Sequence, residues 1–283
     1  MAAVINTNLA SLFAQNALSG AQSNLATSVQ RLSSGLRINS SKDDASGLAI
    51  AQSMQGQINA VTYSTQNESQ AVNMAQTADT SMGTVQDILL RMKQLSVEGS
   101  NSSISSAQQG DVTAELNTLA TQIQNIATGT TYNGIALLGS TTGTFAFQVG
   151  ASTGAGDTFT FNSVDLSTSG TMGGALTTAL NGLTAGTGTF QAFQNLSNVI
   201  DSAVEGVSSQ RAVVGSQMNA LAFVSQNLQS QSANLQASRS TVIDTNFSAE
   251  TANLTKGQIM QQAATAMLAQ ANQMPNVILS LLK

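Results

Sequence analysis

Few side chains in this sequence could do chemistry. Asp43 and Asp44 are adjacent carboxylates, a pattern that can hold a metal or run acid/base steps. They stand among Asn39, Ser40, Ser41, Ser46 and Gly47, which are residues of turns and helix starts. The pair is therefore read as turn and cap acceptors. Gly154-Ala155-Gly156 and Gly186-Thr187-Gly188 lack the third glycine, the preceding strand and the downstream acid of a dinucleotide loop. Met74, Met82 and Met92 sit at helical spacing, which is core filling rather than a metal box. Asn67-Glu68-Ser69 and Asn101-Ser102-Ser103 match a glycan acceptor pattern that a chain rich in Asn and Ser produces by chance. The sequence contains no His and no Cys. That excludes a Ser-His-Asp triad, an imidazole base or ligand, a thiol nucleophile, a disulfide and a zinc-thiolate site. No catalytic, cofactor-binding or metal-ligating residue is assigned, no cofactor is expected, and an enzyme is the least favoured class.

With chemistry set aside, the charge pattern carries the information. The 283 residues suffice for one or two domains with a sizeable core. Only 8% are charged, about a third of the usual share. The net charge is -5 and the nine Lys and Arg are scattered, which argues against nucleic acid as a partner. Met1 to Gln30 and Gly257 to Leu282 carry no charged side chain at all. A helix facing water usually shows Lys and Glu on its outer face. Helices without them are expected to meet protein on most sides. No run of about 18 residues is apolar, so no membrane insertion is expected. The first eight residues have neither the basic region nor the apolar core of a secretory signal, so no cleaved signal peptide is expected.

The elements follow from periodicity. Ile5, Leu9 and Leu12, then Leu18, Leu25, Val29 and Leu32, predict a helix over residues 1 to 32. Residues 33 to 47 read as an irregular link. A long helix follows over about 48 to 98, with Ile58, Val61, Val72, Met74, Ala78, Met82, Val85, Leu89, Met92 and Leu95 in its stripe. Residues 100 to 110 read as a loop, and Val112, Leu116, Leu119, Ile123 and Ile126 as a short heptad helix. From about 130 the period changes to two. Phe145, Phe147 and Val149, and Phe159 and Phe161, predict strands, with a turn at Asn133-Gly134. Residues 139 to 190, which hold these strands and are rich in Gly and Thr, read as a loop-rich centre. Phe193, Ile200, Val207, Val214, Leu221, Leu228, Leu235 and Val242 then recur at a strict spacing of seven, a coiled-coil seam. Its companion row is partly polar, with Gln210, Gln217 and Gln231. A last helix covers about 247 to 282, with Met260, Ala264, Met267, Ala271, Met274, Ile278 and Leu281 in its stripe and Pro275 as an expected bend or break.

The simplest topology sends the first half out and the second half back. The fold class is mainly α: long antiparallel helices from the N- and C-terminal parts pair as a coiled-coil rod, with a small β-hairpin and loop region in the centre. The uncharged ends meet each other. Two isolated helices bury little, so the ends are expected to stay unfolded until other copies surround them.

Several segments resemble bacterial flagellin. They are Val4-Ile5-Asn6-Thr7-Asn8-Leu9, the box from Ser33 to Ala51, Tyr132-Asn133-Gly134 followed by Leu137-Leu138, and Ala271 to Leu282. The resemblance covers about 1 to 139 and 191 to 283. It implies an inner terminal coiled-coil domain of residues 1–42 and 243–283, a rod-like helical domain of 43–139 and 191–242, and a short variable surface region of 140–190. It implies an extracellular structural subunit that polymerises into the flagellar filament for motility, a homopolymer of this chain. The expected polymerisation helices carry Ile5, Leu9, Leu12, Leu18, Leu25, Val29, Leu32, Met260, Met267, Met274, Ile278 and Leu281. Implied partners are an export chaperone, the filament cap and the hook-filament junction proteins, with export unfolded and assembly at the distal tip. Family members are also ligands of an innate immune receptor. The matching residues are Arg91, Leu95 and Glu115, with Gln94 where the family usually has Glu. The alternatives are a hook-filament junction protein and a surface adhesin or lectin on the same frame.

Overall fold

The computed structural model describes residues 8–139, 143–150, 154, 157–166, 171–184 and 190–281. Ile5 lies outside them, as do the side chains of Pro275, Ile278 and Leu281. The elements in order are α1 (Leu9–Ser34), α2 (Ala45–Gly99), α3 (Ser106–Gly129), β1 (Thr131–Tyr132), β2 (Ile135–Ala136), β3 (Thr144–Gln148), β4 (Thr158–Asn162), α4 (Thr171–Thr184), α5 (Phe190–Ile243) and α6 (Phe247–Leu281). The fold is mainly α with a small central β region, as the periodicities predict. The chain divides into two compact units, Met1–Ile58 with Ala233–Lys283, and Asn59–Ser232.

The second unit holds the main core. Met74, Met82, Leu89 and Met92 of α2, Leu116 and Ile123 of α3, and Phe193, Ile200, Val207 and Val214 of α5 are buried together. The helices α2 and α5 run antiparallel. Ser96 Oγ donates to the Phe193 carbonyl at 2.8 Å, and Gln86 Nε2 to Ser208 Oγ at 3.2 Å. Arg211 Nε donates to Asp79 Oδ1 at 2.9 Å and its Nη1 to Gln86 Oε1 at 2.8 Å. Hydrogen bonding to Asp79 raises the pKa of the Arg211 guanidinium further.

Two hairpins supply the β region. In the first, Thr131 pairs with Ala136 and Tyr132 with Ile135, around Asn133-Gly134. Both turn residues have positive φ, 50° and 78°, the signature of a type I′ turn, which Asn-Gly meets at low cost. In the second, β3 and β4 pair antiparallel with Phe145 opposite Phe161 and Phe147 opposite Phe159. This hairpin is fixed to α2 and α5. Asn67 Nδ2 donates to the Gln148 carbonyl at 2.9 Å, and Val149 is buried with Ala71 and Leu221.

The structure corrects three local expectations. The central segment, expected to hold only strands and loop, also contains the helix α4, which packs Leu176, Leu180 and Leu183 into the core. The helix α3 starts at Ser106, inside the expected loop. There Ser105 and Gln108 form a reciprocal capping box that satisfies two backbone N–H groups. Finally, α6 continues past Pro275 as one helix, so of the expected bend or break the break does not occur.

Candidate functional site

The first unit contains α1 and α6, the helices that carry the two uncharged stretches. They lie antiparallel. Asn8 Nδ2 donates to the Ala271 carbonyl at 2.7 Å near one end of the pair, and Thr245 N to the Gly35 carbonyl at 2.9 Å near the other. Asn8 also caps α1 by accepting from Ser11 N at 3.1 Å. At the other end the chain turns through Gly35, and an isolated bridge pairs Leu36 with Asp244. Below it Ile38, Ala51 and Ile243 form a small buried cluster with Leu36, Leu48 and Val242 against it.

The seam between α1 and α6 is built from small side chains. On α1 the buried residues are Ala14, Ala21 and Ser28, spaced by seven. On α6 the buried row is Glu250, Gly257, Ala264 and Ala271, also spaced by seven. Glu250 pairs with Arg31 at 3.8 Å, which places the first charge after the neutral N-terminal stretch at the end of the row. The helix backbones come close at Gly257. A Cβ there would lie 3.7 Å from the Cα of Leu25, so little more than Ala fits.

The large apolar side chains therefore do not fill this seam. Leu18, Leu25 and Leu32 are half-buried at its edge. Leu9, Leu12 and Val29 are exposed, and Phe13, which the stripe did not include, is 73% exposed. On α6, Ile259, Met260, Met267 and Met274 are exposed. The predicted stripe of α6 joins Ala264 and Ala271 to Met260, Met267 and Met274, and the two alanines take the buried positions. A second seven-residue row of Ala, Ser and Gly was the available signal. The pair thus presents large apolar side chains outward, among neutral polar residues such as Gln15, Gln22, Gln258 and Gln270. Among the described residues no helix is long and apolar enough to cross a membrane.

The other expected sites are placed as follows. In the α5 seam, Phe193, Ile200, Val207, Val214, Leu221 and Leu228 are buried, and Leu235 and Val242 are half-buried. Gln210 and Gln231 of the companion row are exposed, and Gln217 is half-buried. Arg91 and Glu115 form an exposed ion pair at 2.9 Å between α2 and α3, and Arg91 Nη1 reaches Gln94 Oε1 at 3.4 Å. Leu95 is not part of that surface. It is 2% exposed and belongs to the core, while Leu90 and Val97 are the apolar residues outside. Asp43 accepts from Asn39 N at 3.1 Å and Ser40 N at 2.9 Å, and Asp44 from Gly47 N at 2.9 Å. These backbone bonds hold both carboxyls below the usual carboxylate range. Both residues are turn and cap acceptors, and no metal-binding cluster is found among the described residues.

Comparison with known proteins bears on this geometry. Residues 5–142 match the family model of the bacterial flagellin N-terminal helical region, and 197–282 that of the C-terminal helical region. A flagellin of Listeria innocua is 34% identical over 98% of this chain and 99% of its own length. A flagellar filament 33 kDa core protein of Treponema phagedenis is 31% identical over 99% of this chain and 100% of its own. The solved structure of a flagellar hook-associated protein of Vibrio parahaemolyticus shares the fold, with a TM-score of 0.61 and 14% identity. It covers 71% of this chain and 100% of its own.

Proposed function

The chain belongs to the bacterial flagellin family, and from that premise we propose that it polymerises by burying the outward faces of α1 and α6 against other copies. It is a structural subunit of the extracellular flagellar filament and serves motility.

The observation that carries the mechanism is the inverted burial of the terminal pair. Burial stabilises in proportion to apolar area, about 0.8 kcal/mol per CH₂. A seam of Ala, Gly and Ser gains little by that measure, and isolated helices of this kind are marginal in water. The larger contribution from Leu9, Leu12, Phe13, Val29, Met260, Met267 and Met274 is available only when another molecule covers them. Folding of the ends is then coupled to assembly. Contacts of this kind join different surfaces of neighbouring copies, repeat without closing, and build a helical array.

On this reading residues 1–42 and 243–283 form the inner domain of the filament. Residues 43–139 and 191–242 form the rod domain, held by the α5 seam and the Arg211–Asp79–Gln86 contacts. Residues 140–190 form the outer surface. Export is unfolded, with a chaperone on the C-terminal segment, and assembly occurs at the distal tip beneath a cap and beyond the hook-filament junction. The composition suits that route. No Cys means no stray crosslinks outside the cell, and a single Pro limits slow isomerisation on refolding. The exposed Arg91–Glu115 pair with Gln94 is the contact offered to an innate immune receptor.

Deleting Met1 to Gln30 tests the proposal. The expected product is a soluble monomer that keeps the helicity of its second unit and does not polymerise onto filament seeds. Normal filaments from the truncated chain would refute it.

A further inference from the structure

Six of the ten methionines fall into two contrasting sets. Met74, Met82 and Met92 are buried in the core of the second unit. On α6, Met260, Met267 and Met274 are 49%, 65% and 52% exposed. They are spaced by seven, and such a repeat drifts only about 20° per step on a straight helix. The three thioethers therefore form one row along α6. No charged side chain occurs from Gly257 to Leu282, and the sequence has no Cys to compete for oxidant.

We propose that this row is an oxidation site that switches off polymerisation of the unassembled chain; the consequence for assembly rests on the covering of α6 proposed above. The oxidant class is a two-electron oxygen donor such as hydrogen peroxide. The thioether sulfur attacks a peroxide oxygen, the O–O bond breaks, an S–O bond forms, and the second oxygen leaves as water once protons are redistributed. Sulfur is oxidised by two electrons and the peroxide is reduced. The product is methionine sulfoxide, a polar and chiral side chain that reductases convert back. In the free chain the new oxygen is hydrated, and because these side chains are exposed, the fold does not have to change. Against the apolar face of another copy the oxygen loses water and finds few donors. The device is directional, because copies already in the filament shield the row while free chains present it.

The test treats the full chain with one dose of hydrogen peroxide, either as monomer or as filament. Peptide mass mapping and the critical concentration from sedimentation are the readouts. In the monomer, Met260, Met267 and Met274 should each gain one oxygen before Met74, Met82 and Met92. The critical concentration should then rise about tenfold or more. The pair of methionine sulfoxide reductases that act on the two epimers should reverse both changes. The Met260→Leu/Met267→Leu/Met274→Leu chain, compared with itself before and after peroxide, should show a ratio near one. A wild-type chain with all three sulfoxides that polymerises at its untreated concentration overturns the proposal. So does a triple variant as peroxide-sensitive as the wild type. Equal oxidation of the row in filament and monomer instead contradicts the covering of α6, which separates the two failures.

Discussion

Replacing Met267 by Ala should leave the single chain nearly unchanged and weaken the polymer. Met267 is 65% exposed, so truncating it removes few contacts within the chain. Fully burying a side chain of this kind is worth about 1.5–3 kcal/mol. If a neighbouring copy covers the exposed 65%, the assembled state loses about 1–2 kcal/mol per subunit on truncation. At about 1.4 kcal/mol per decade, the critical concentration rises about 5- to 30-fold. Sedimentation of seeded filaments over a concentration series measures it, and circular dichroism of the monomer supplies the control. The contrasting variant is Ala264→Leu on the same helix. Ala264 is buried in the small-residue seam, where added carbons have no room and overpacking costs about 1–3 kcal/mol. That variant should lower the helicity of the terminal pair itself. A Met267→Ala chain that polymerises at the wild-type concentration would refute the reasoning.

Other perturbations address the rest of the molecule. Phe193→Ala empties a fully buried position in the α5 seam, at a cost of about 3–5 kcal/mol, and calorimetry should show Tm of the second unit falling by roughly 6–20 °C. Asp43 and Asp44 have folded pKa values below their unfolded ones, so their stabilisation is complete above the unfolded value of about 4 and is lost as pH falls through the folded value. Asp43→Asn/Asp44→Asn should therefore flatten the acid end of the stability profile measured by urea melts from neutral pH downward; an unchanged profile would contradict the turn geometry. Arg91→Ala breaks an exposed ion pair worth less than about 1 kcal/mol, so it should keep the fold and abolish the response of immune-receptor reporter cells to monomer. Silence from the intact monomer would refute that contact. Leu95→Ala should act differently, lowering Tm first, because Leu95 is in the core.

Long periodic segments made most of the fold legible. Six of the eight seam residues in α5 repeat at seven and are buried, because a helix with one apolar stripe has one place to put it. Asn133-Gly134 revealed a hairpin because its backbone needs positive φ. What was missed has local causes. The start of α3 was hidden in a polar stretch, although Ser105 and Gln108 stand at capping-box spacing. The helix α4 was masked by Gly173, Gly174, Gly182 and several Thr, and tertiary burial of Leu176, Leu180 and Leu183 outweighs their poor propensity. The candidate surface was half legible. The sequence marked the large apolar residues of both ends, but which stripe a helix buries depends on how closely its partner approaches, and here the small row at Ala14, Ala21, Gly257 and Ala264 allows the closer approach.

The central claim is that the large apolar side chains of α1 and α6 are left outward so that other copies can cover them. An electron cryomicroscopy map of filaments grown from this chain tests it most directly. The account predicts Leu12, Phe13, Met260 and Met267 each within about 4.5 Å of apolar atoms from neighbouring subunits, with Ala14, Ala21, Ala264 and Ala271 still between α1 and α6 of one chain. A map in which those large side chains face water, or turn inward to replace the small-residue seam, would contradict it.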